Sequence, residues 1–234
     1  MKIQVWSDYV CPFCYIGKRE LEMALEETGF ASQAEVEFKA YQLDPNTPVG
    51  TTETIHEALA KKYSATPEAM KQQSEGITAR AAEVGLEYHF DNMHPENTFK
   101  AHRLAKYAAT VGKEKELTER LLKAYFTENK RIGDETVLVA LAKEVGLEED
   151  AVKSALQDER FAAETLVDMQ EAQQIGVRGV PFFVINDKYA ISGAQPNDVF
   201  TKAIQQVAEE ENLKPTLKMF GDDSASCDGD NCKF

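Results

Sequence analysis

The alternation of apolar and polar residues changes period several times along the chain, and each change marks an element. Residues 2–6 (KIQVW) alternate with Ile3 and Val5 on one side, which is the period of a strand. After the loop SDYV, apolar residues Ile16, Leu21, Ala24 and Leu25 recur at helical spacing from Pro12 towards Glu27, and Gly29 supplies a stop. Residues 35–43 (EVEFKAYQL) return to alternation through Val36, Phe38 and Ala40, until DPNTPVG breaks the run. The opening therefore predicts a β-α-β unit.

From Thr54 to Gln174 the patterns are helical, as in TFKAHRLAKYAATV and ETVLVALAKEV, with breaks at Thr66-Pro67, Gly85, Asp91 to Pro95, Gly112, Gly133 and Gly146. This block predicts an all-helical bundle or cap. Strand character returns at PFFVI, followed by the turn pair Asn186-Asp187 and a second strand through Tyr189, Ala190 and Ile191, a β-hairpin. Pro196 sits at a helix start, and Val199, Ala203, Ile204 and Val207 form an apolar stripe towards Glu210. Joined across the helical block, the two ends make one small α/β domain, residues 1–50 with 176–211. Residues 51–175 are the insertion, and 212–234 an extended, mobile acidic tail.

Composition narrows the field. At 234 residues, 43% hydrophobic and 28% charged, the chain can bury a sizeable core. No apolar run reaches the ~18 residues of a membrane span, so no membrane association is expected. The N-terminus lacks the basic and apolar regions of a secretory signal, so a protein starting at Met1 is expected in the cytoplasm. Lys and Arg total 26 against 40 Asp and Glu, a formal charge of −14 that disfavours a nucleic-acid partner. Neither GxGxxG nor GxxxxGK[ST] occurs, so the common nucleotide cradles are missing.

Candidate chemistry rests on four cysteines in two close pairs, Cys11/Cys14 and Cys227/Cys232. Cys11-Pro12-Phe13-Cys14 follows a strand and opens a helix. That spacing puts both sulfurs on one side of the first turn, within bonding reach of each other. The free N–H groups and positive dipole end of that turn stabilise a thiolate, the nucleophilic form. Cys11, at the expected exposed end, attacks, and Cys14, one turn inside, resolves the mixed disulfide. Pro12 suits a helix start because the N–H it lacks has no partner there. Two other readings stay open: a four-cysteine zinc site completed by Cys227 and Cys232, and an inert structural pair. Cys227 and Cys232 have acidic neighbours, Asp228 and Asp230, which disfavour their thiolates. They are a secondary redox pair exchanging with Cys11/Cys14, a metal clip or an incidental pair. DDSASCDGDN lacks the Glu an EF-hand loop requires. Asp8 shapes the loop before Cys11.

Four segments, SDYVCPFCYIGK, YQLDP, NTFKAHRLAKYA and GVRGVPFFVIN with its downstream SGAQP, resemble the thioredoxin superfamily. Within it they are similar to the DsbA-like branch, FrnE-type proteins in particular, over nearly the whole chain. The resemblance implies an α/β thioredoxin fold interrupted by a large helical insertion. It implies a thiol–disulfide oxidoreductase, isomerisation included, that acts on protein thiols and disulfides, with glutathione as a further partner and no cofactor or metal. It also implies that Val180-Pro181 is a cis bond facing the dithiol, leaving the Val180 backbone to bind extended substrate. The helix starting near Asn97 and Thr98 would lie across the cleft, with His102 as a modulator of thiolate charge or a proton relay. His56, His89 and His94 show no ligand spacing. Kappa-class glutathione transferases and 2-hydroxychromene-2-carboxylate isomerases share the insertion and bind glutathione, but generally carry serine at the position of Cys11. They supply a second reading, and a non-enzymatic thioredoxin-like binding module a third.

Overall fold

The computed structural model describes residues 1–216 and the backbone of residues 227–228 and 231–232. Strand β1 (Lys2–Ser7) leads to helix α1 (Pro12–Thr28), then a short 3-10 turn (Ala31–Gln33) and β2 (Glu35–Ala40). Seven helices follow: α2 (Ile55–Tyr63), α3 (Pro67–Glu83), α4 (Phe99–Thr110), α5 (Glu114–Phe126), α6 (Glu135–Glu144), α7 (Glu149–Gln157) and α8 (Glu159–Gln174). The chain then returns to β3 (Phe182–Ile185), β4 (Tyr189–Ser192) and α9 (Asn197–Glu210). The sheet runs β2-β1-β3-β4, with β1 parallel to β2 and antiparallel to β3, and β3 antiparallel to β4. Asn186 and Asp187 join the hairpin with φ of 50° and 53°. Asn and Asp tolerate that left-handed geometry, which matches the twist of the flanking strands.

Ile3 and Val5 are buried on one face of the sheet with Leu21 and Leu25 of α1, Phe183 of β3, and Phe200 and Ile204 of α9. Trp6 points to the other face, packs with Ala172 and Val177, and donates its indole N–H to the Asp168 carbonyl of α8 at 2.9 Å. A separate core fills the helical block around Leu104, Leu117, Leu121, Tyr125 and Phe126, and Tyr9 from the turn before α1 and Ile16 of α1 join it. The dithiol end of α1 thus sits where the two cores meet.

β2 is an edge strand, and its outward amides find carboxylates on the insertion. Phe38 N–H donates to Glu114 of α5 at 3.4 Å, and Ala40 N–H to Asp168 of α8 at 2.8 Å. Asp168 is buried and also pairs with Lys39 and with Lys106 of α4. Edge amides buried without partners are costly, so these acids help to dock the helices onto the sheet.

Two elements depart from the sequence expectation. β2 stops at Ala40 instead of Leu43, because the Leu43 amide turns away to the Asp8 carboxylate at 2.8 Å. Within the block read as helical, residues 84–98 are irregular, and in the first half of this stretch Leu86, Tyr88 and Phe90 bury on alternate positions. LEYHF has period two, and the His89 amide donates to the Phe126 carbonyl at 2.8 Å outside any sheet. Among the described residues, no helix is long and apolar enough to cross a membrane. Most of the acidic tail lies outside the described residues. Its backbone at 227–228 pairs antiparallel with 231–232, Cys227 opposite Cys232.

Candidate active site

At the end of β1 the chain makes a tight turn in which Cys11 N–H donates to the Asp8 carbonyl at 3.0 Å. Cys11 is the N-cap of α1 in extended geometry (φ −90°, ψ 113°) with Pro12 at the first helical position. Cys14 N–H donates to the Cys11 carbonyl at 3.0 Å, and both thiols are free. The helix start therefore gathers the two sulfurs on the first turn, as the CxxC spacing requires.

Against this turn lies the loop before β3. The Cys11 thiol contacts the Val180 carbonyl at 3.5 Å, and the Val180-Pro181 bond is cis. Gly17 makes the approach possible: a Cβ there would lie 2.9 Å from Pro181 Cγ and 3.1 Å from the Phe183 ring. Cys14 is 1% exposed and accepts from the Asp8 amide at 3.4 Å. Burial pushes its thiol up, as do the hydrogen bond and charge of Cys11, while the Ser7 hydroxyl and Asp8 amide partly offset the rise.

Cys11 is not at an exposed end, contrary to expectation. The residue is 4% exposed, and Phe13, at 36%, is the part of the motif open to solvent. Cover comes from the Val180 loop on one side and the insertion on the other. From the insertion, Tyr88 donates its hydroxyl to the Pro12 carbonyl at 2.7 Å and stacks on Phe126 at 4.6 Å. Arg80, in the last turn of α3, donates to the Ala194 carbonyl and lies 5.7 Å from the Phe13 ring centroid.

His102 and Asp8 meet behind the dithiol. His102 is 4% exposed, Asp8 is 1% exposed, and Nε2 lies 3.5 Å from the Asp8 carboxylate. The Tyr9 ring packs on the imidazole at 4.7 Å. Asp8 shapes the loop in the expected sense, since its other oxygen holds the Leu43 amide and its carbonyl holds Cys11 N–H. Asn97 opens α4 by accepting from the Phe99 amide at 3.1 Å, whereas the Thr98 side chain makes no cap bond. The remaining histidines have local partners: His56 with Ser74, His89 with Thr127 and Glu87, His94 with the Glu53 carbonyl. The side chains of Cys227 and Cys232 lie outside the described residues.

Sequence reading missed Tyr88 and Arg80. The alternating LEYHF run carried a signal for Tyr88; nothing in the local pattern marks Arg80.

The family model for the DSBA-like thioredoxin domain matches residues 2–205. The crystal structure of a probable DsbA oxidoreductase from Streptomyces coelicolor is 33% identical, covers 100% of this chain and 99% of its own, and superposes with a TM-score of 0.85. A 2-hydroxychromene-2-carboxylate isomerase is 14% identical over 91% of this chain and 98% of its own, TM-score 0.71. The cytosolic disulfide reductase DsbM from Pseudomonas aeruginosa with GSH is 18% identical over 88% of this chain and 99% of its own, TM-score 0.63. The last two likenesses speak for the fold. With a dithiol at the start of a helix facing a proline loop, and a family model spanning sheet and insertion alike, this chain belongs to the DSBA-like thioredoxin domain family.

Proposed function

We propose that the protein is a thiol–disulfide oxidoreductase of the FrnE type acting on protein disulfides, with Cys11 as attacking and Cys14 as resolving thiol. One observation carries the reading: Cys11 stands at the N-cap of α1 with its thiol on the Val180 carbonyl, and the more deeply buried Cys14 lies one turn behind. In reduction, the Cys11 thiolate attacks one sulfur of the substrate disulfide, the S–S bond breaks, and the first substrate thiolate leaves and takes up a proton. Cys14 then loses its proton and attacks Cys11 Sγ, forming the Cys11–Cys14 disulfide and releasing the second substrate thiolate. The substrate gains two electrons, and the dithiol loses two. The reverse sequence oxidises a substrate, and stopping at the mixed disulfide permits isomerisation. The backbone at Val180 and Pro181 offers a pairing site for an extended substrate beside the reacting sulfur.

The unit carrying this chemistry is residues 1–50 with 176–211, and 51–175 is its cover. His102 modulates the site through Asp8, and Cys227/Cys232 serve as a secondary pair. Glutathione fits as a small thiol partner, in line with the fold shared with DsbM solved with GSH. The reducing cytoplasm is the matching compartment. Substitution tests the assignment. Cys11→Ser is expected to abolish reduction of insulin disulfides, and Cys14→Ser to accumulate a covalent enzyme–substrate mixed disulfide visible by mass spectrometry. Insulin reduction surviving in Cys11→Ser would overturn it. The fold shared with the isomerase favours a second reading, glutathione-dependent isomerisation of a small molecule. That reading predicts glutathione-dependent turnover that survives Cys11→Ser.

A further inference from the structure

Across the helical insertion, four arginines sit on carboxylates: Arg103 on Glu159, Arg120 on Glu128 and Glu144, Arg131 on Glu96, and Arg160 on Asp158. Arg80 is different. Among the described residues it forms no ion pair, and its hydrogen-bond acceptor is the Ala194 carbonyl. Glu20 of α1 feels the Arg80 charge but makes no salt bridge with it. A guanidinium offers five N–H donors in a planar fork that matches a carboxylate, and one carbonyl occupies only part of it.

The position is as telling as the missing partner. Arg80 is half-buried, not waving in solvent. It lies 5.7 Å from the ring centroid of Phe13, the residue between the two cysteines that is open to solvent. Its carbonyl partner Ala194 approaches α1 at Gly17, where Pro181 also packs. The cation therefore links the CPFC turn to the segment after β4 that packs beside Pro181. In a protein of net charge −14, acidic groups are repelled at long range, so a cation at this rim with no carboxylate in direct contact selects for one at close range.

We propose that Arg80 is the substrate-recognition residue of this dithiol, binding a carboxylate carried next to the reacting cysteine of the substrate. The inference rests on the oxidoreductase reading and names its preferred substrates: disulfides flanked by an acidic group, supplied either by an Asp or Glu side chain or by a chain-terminal carboxylate.

Four symmetric peptide disulfides test it: acetyl-Gly-Cys-Asp-amide, acetyl-Gly-Cys-Asn-amide, and acetyl-Gly-Cys-Gly ending in either a free carboxylate or an amide. The intact wild-type protein is expected to reduce at least one acidic peptide with kcat/KM about tenfold above its neutral counterpart, the size of a charge-assisted contact. Whichever pair shows the preference identifies the source of the carboxylate. Arg80→Gln is expected to bring that ratio close to one, and Arg80→Lys to restore part of it. Loss of the Ala194 contact or partial unfolding lowers both members of a pair alike, so a purely structural role leaves the ratio unchanged. Equal wild-type turnover within both pairs, or a preference that persists in Arg80→Gln, overturns the proposal and leaves the oxidoreductase reading standing. Absence of turnover on all four peptides overturns both.

Discussion

Cys11 and Cys14 differ at the scale of single atoms although one helical turn holds both. The Cys14 sulfur lies under the motif, where burial and the neighbouring Cys11 push its thiol up. Cys11 caps the helix, at the positive end of its dipole, beside the rim marked by Phe13. Reactivity follows thiolate character and access together. With limiting iodoacetamide at neutral pH, Cys11 is expected to be alkylated first, read by peptide mass mapping. First labelling of Cys14 would reverse the assigned roles. Because Cys11 is itself only 4% exposed, both rates are expected to rise in mild denaturant, with Cys14 gaining more.

At the scale of an element, helix α1 works through its ends and one glycine. Cys11 and Pro12 set the start, and Gly29, with φ of 75°, closes the helix in the left-handed region that suits glycine. Between them Gly17 lets the Pro181 loop approach the helix side on. In Gly17→Ala the new methyl group meets the proline ring at 2.9 Å and the Phe183 ring at 3.1 Å, so loop or helix must shift. Overpacking of this kind costs about 1–3 kcal/mol. A lower melting temperature accompanied by slower insulin reduction is expected. An alanine variant unchanged in both would show that the close approach is dispensable.

At the scale of the whole molecule, the insertion docks on the sheet through acids that cap edge amides, and one of them is poised to titrate. Burial pushes the Glu114 carboxyl up to about 7, helped by Glu37 and Asp168 and opposed by the Phe38 amide and Lys106. The folded-state value is raised, so between the ordinary 4.5 and about 7 the folded protein holds a proton that the unfolded chain has released. The contribution to stability is full below 4.5 and is lost as pH rises through that window. The loss is on the order of 3 kcal/mol. Denaturant midpoints at pH 5 and pH 8 are expected to differ more in the wild type than in Glu114→Gln, which stays neutral throughout. An identical pH dependence in both proteins would refute the titration of Glu114.

Local pattern alone determined much of this protein. The alternation of Ile3 and Val5, the Asn186-Asp187 turn, the run of helical periods and the CxxC at a strand-to-helix junction each depend on neighbours in sequence. Their physics is that of one strand, one turn or one helix face. Tertiary structure decided the rest. His102 of the distant helix α4 faces Asp8, Asp168 reaches the Ala40 amide from α8, and Tyr88 and Arg80 reach the redox turn from the insertion. LEYHF carries a strand period, yet its partner is a helix end and aromatic rings instead of a sheet. Such pairings are set by how the insertion packs on the sheet, and a side chain's periodicity reports which way it faces, not what it will meet. The cover over Cys11 has the same origin: the motif places the sulfur at a helix start, and distant segments of the chain close over it.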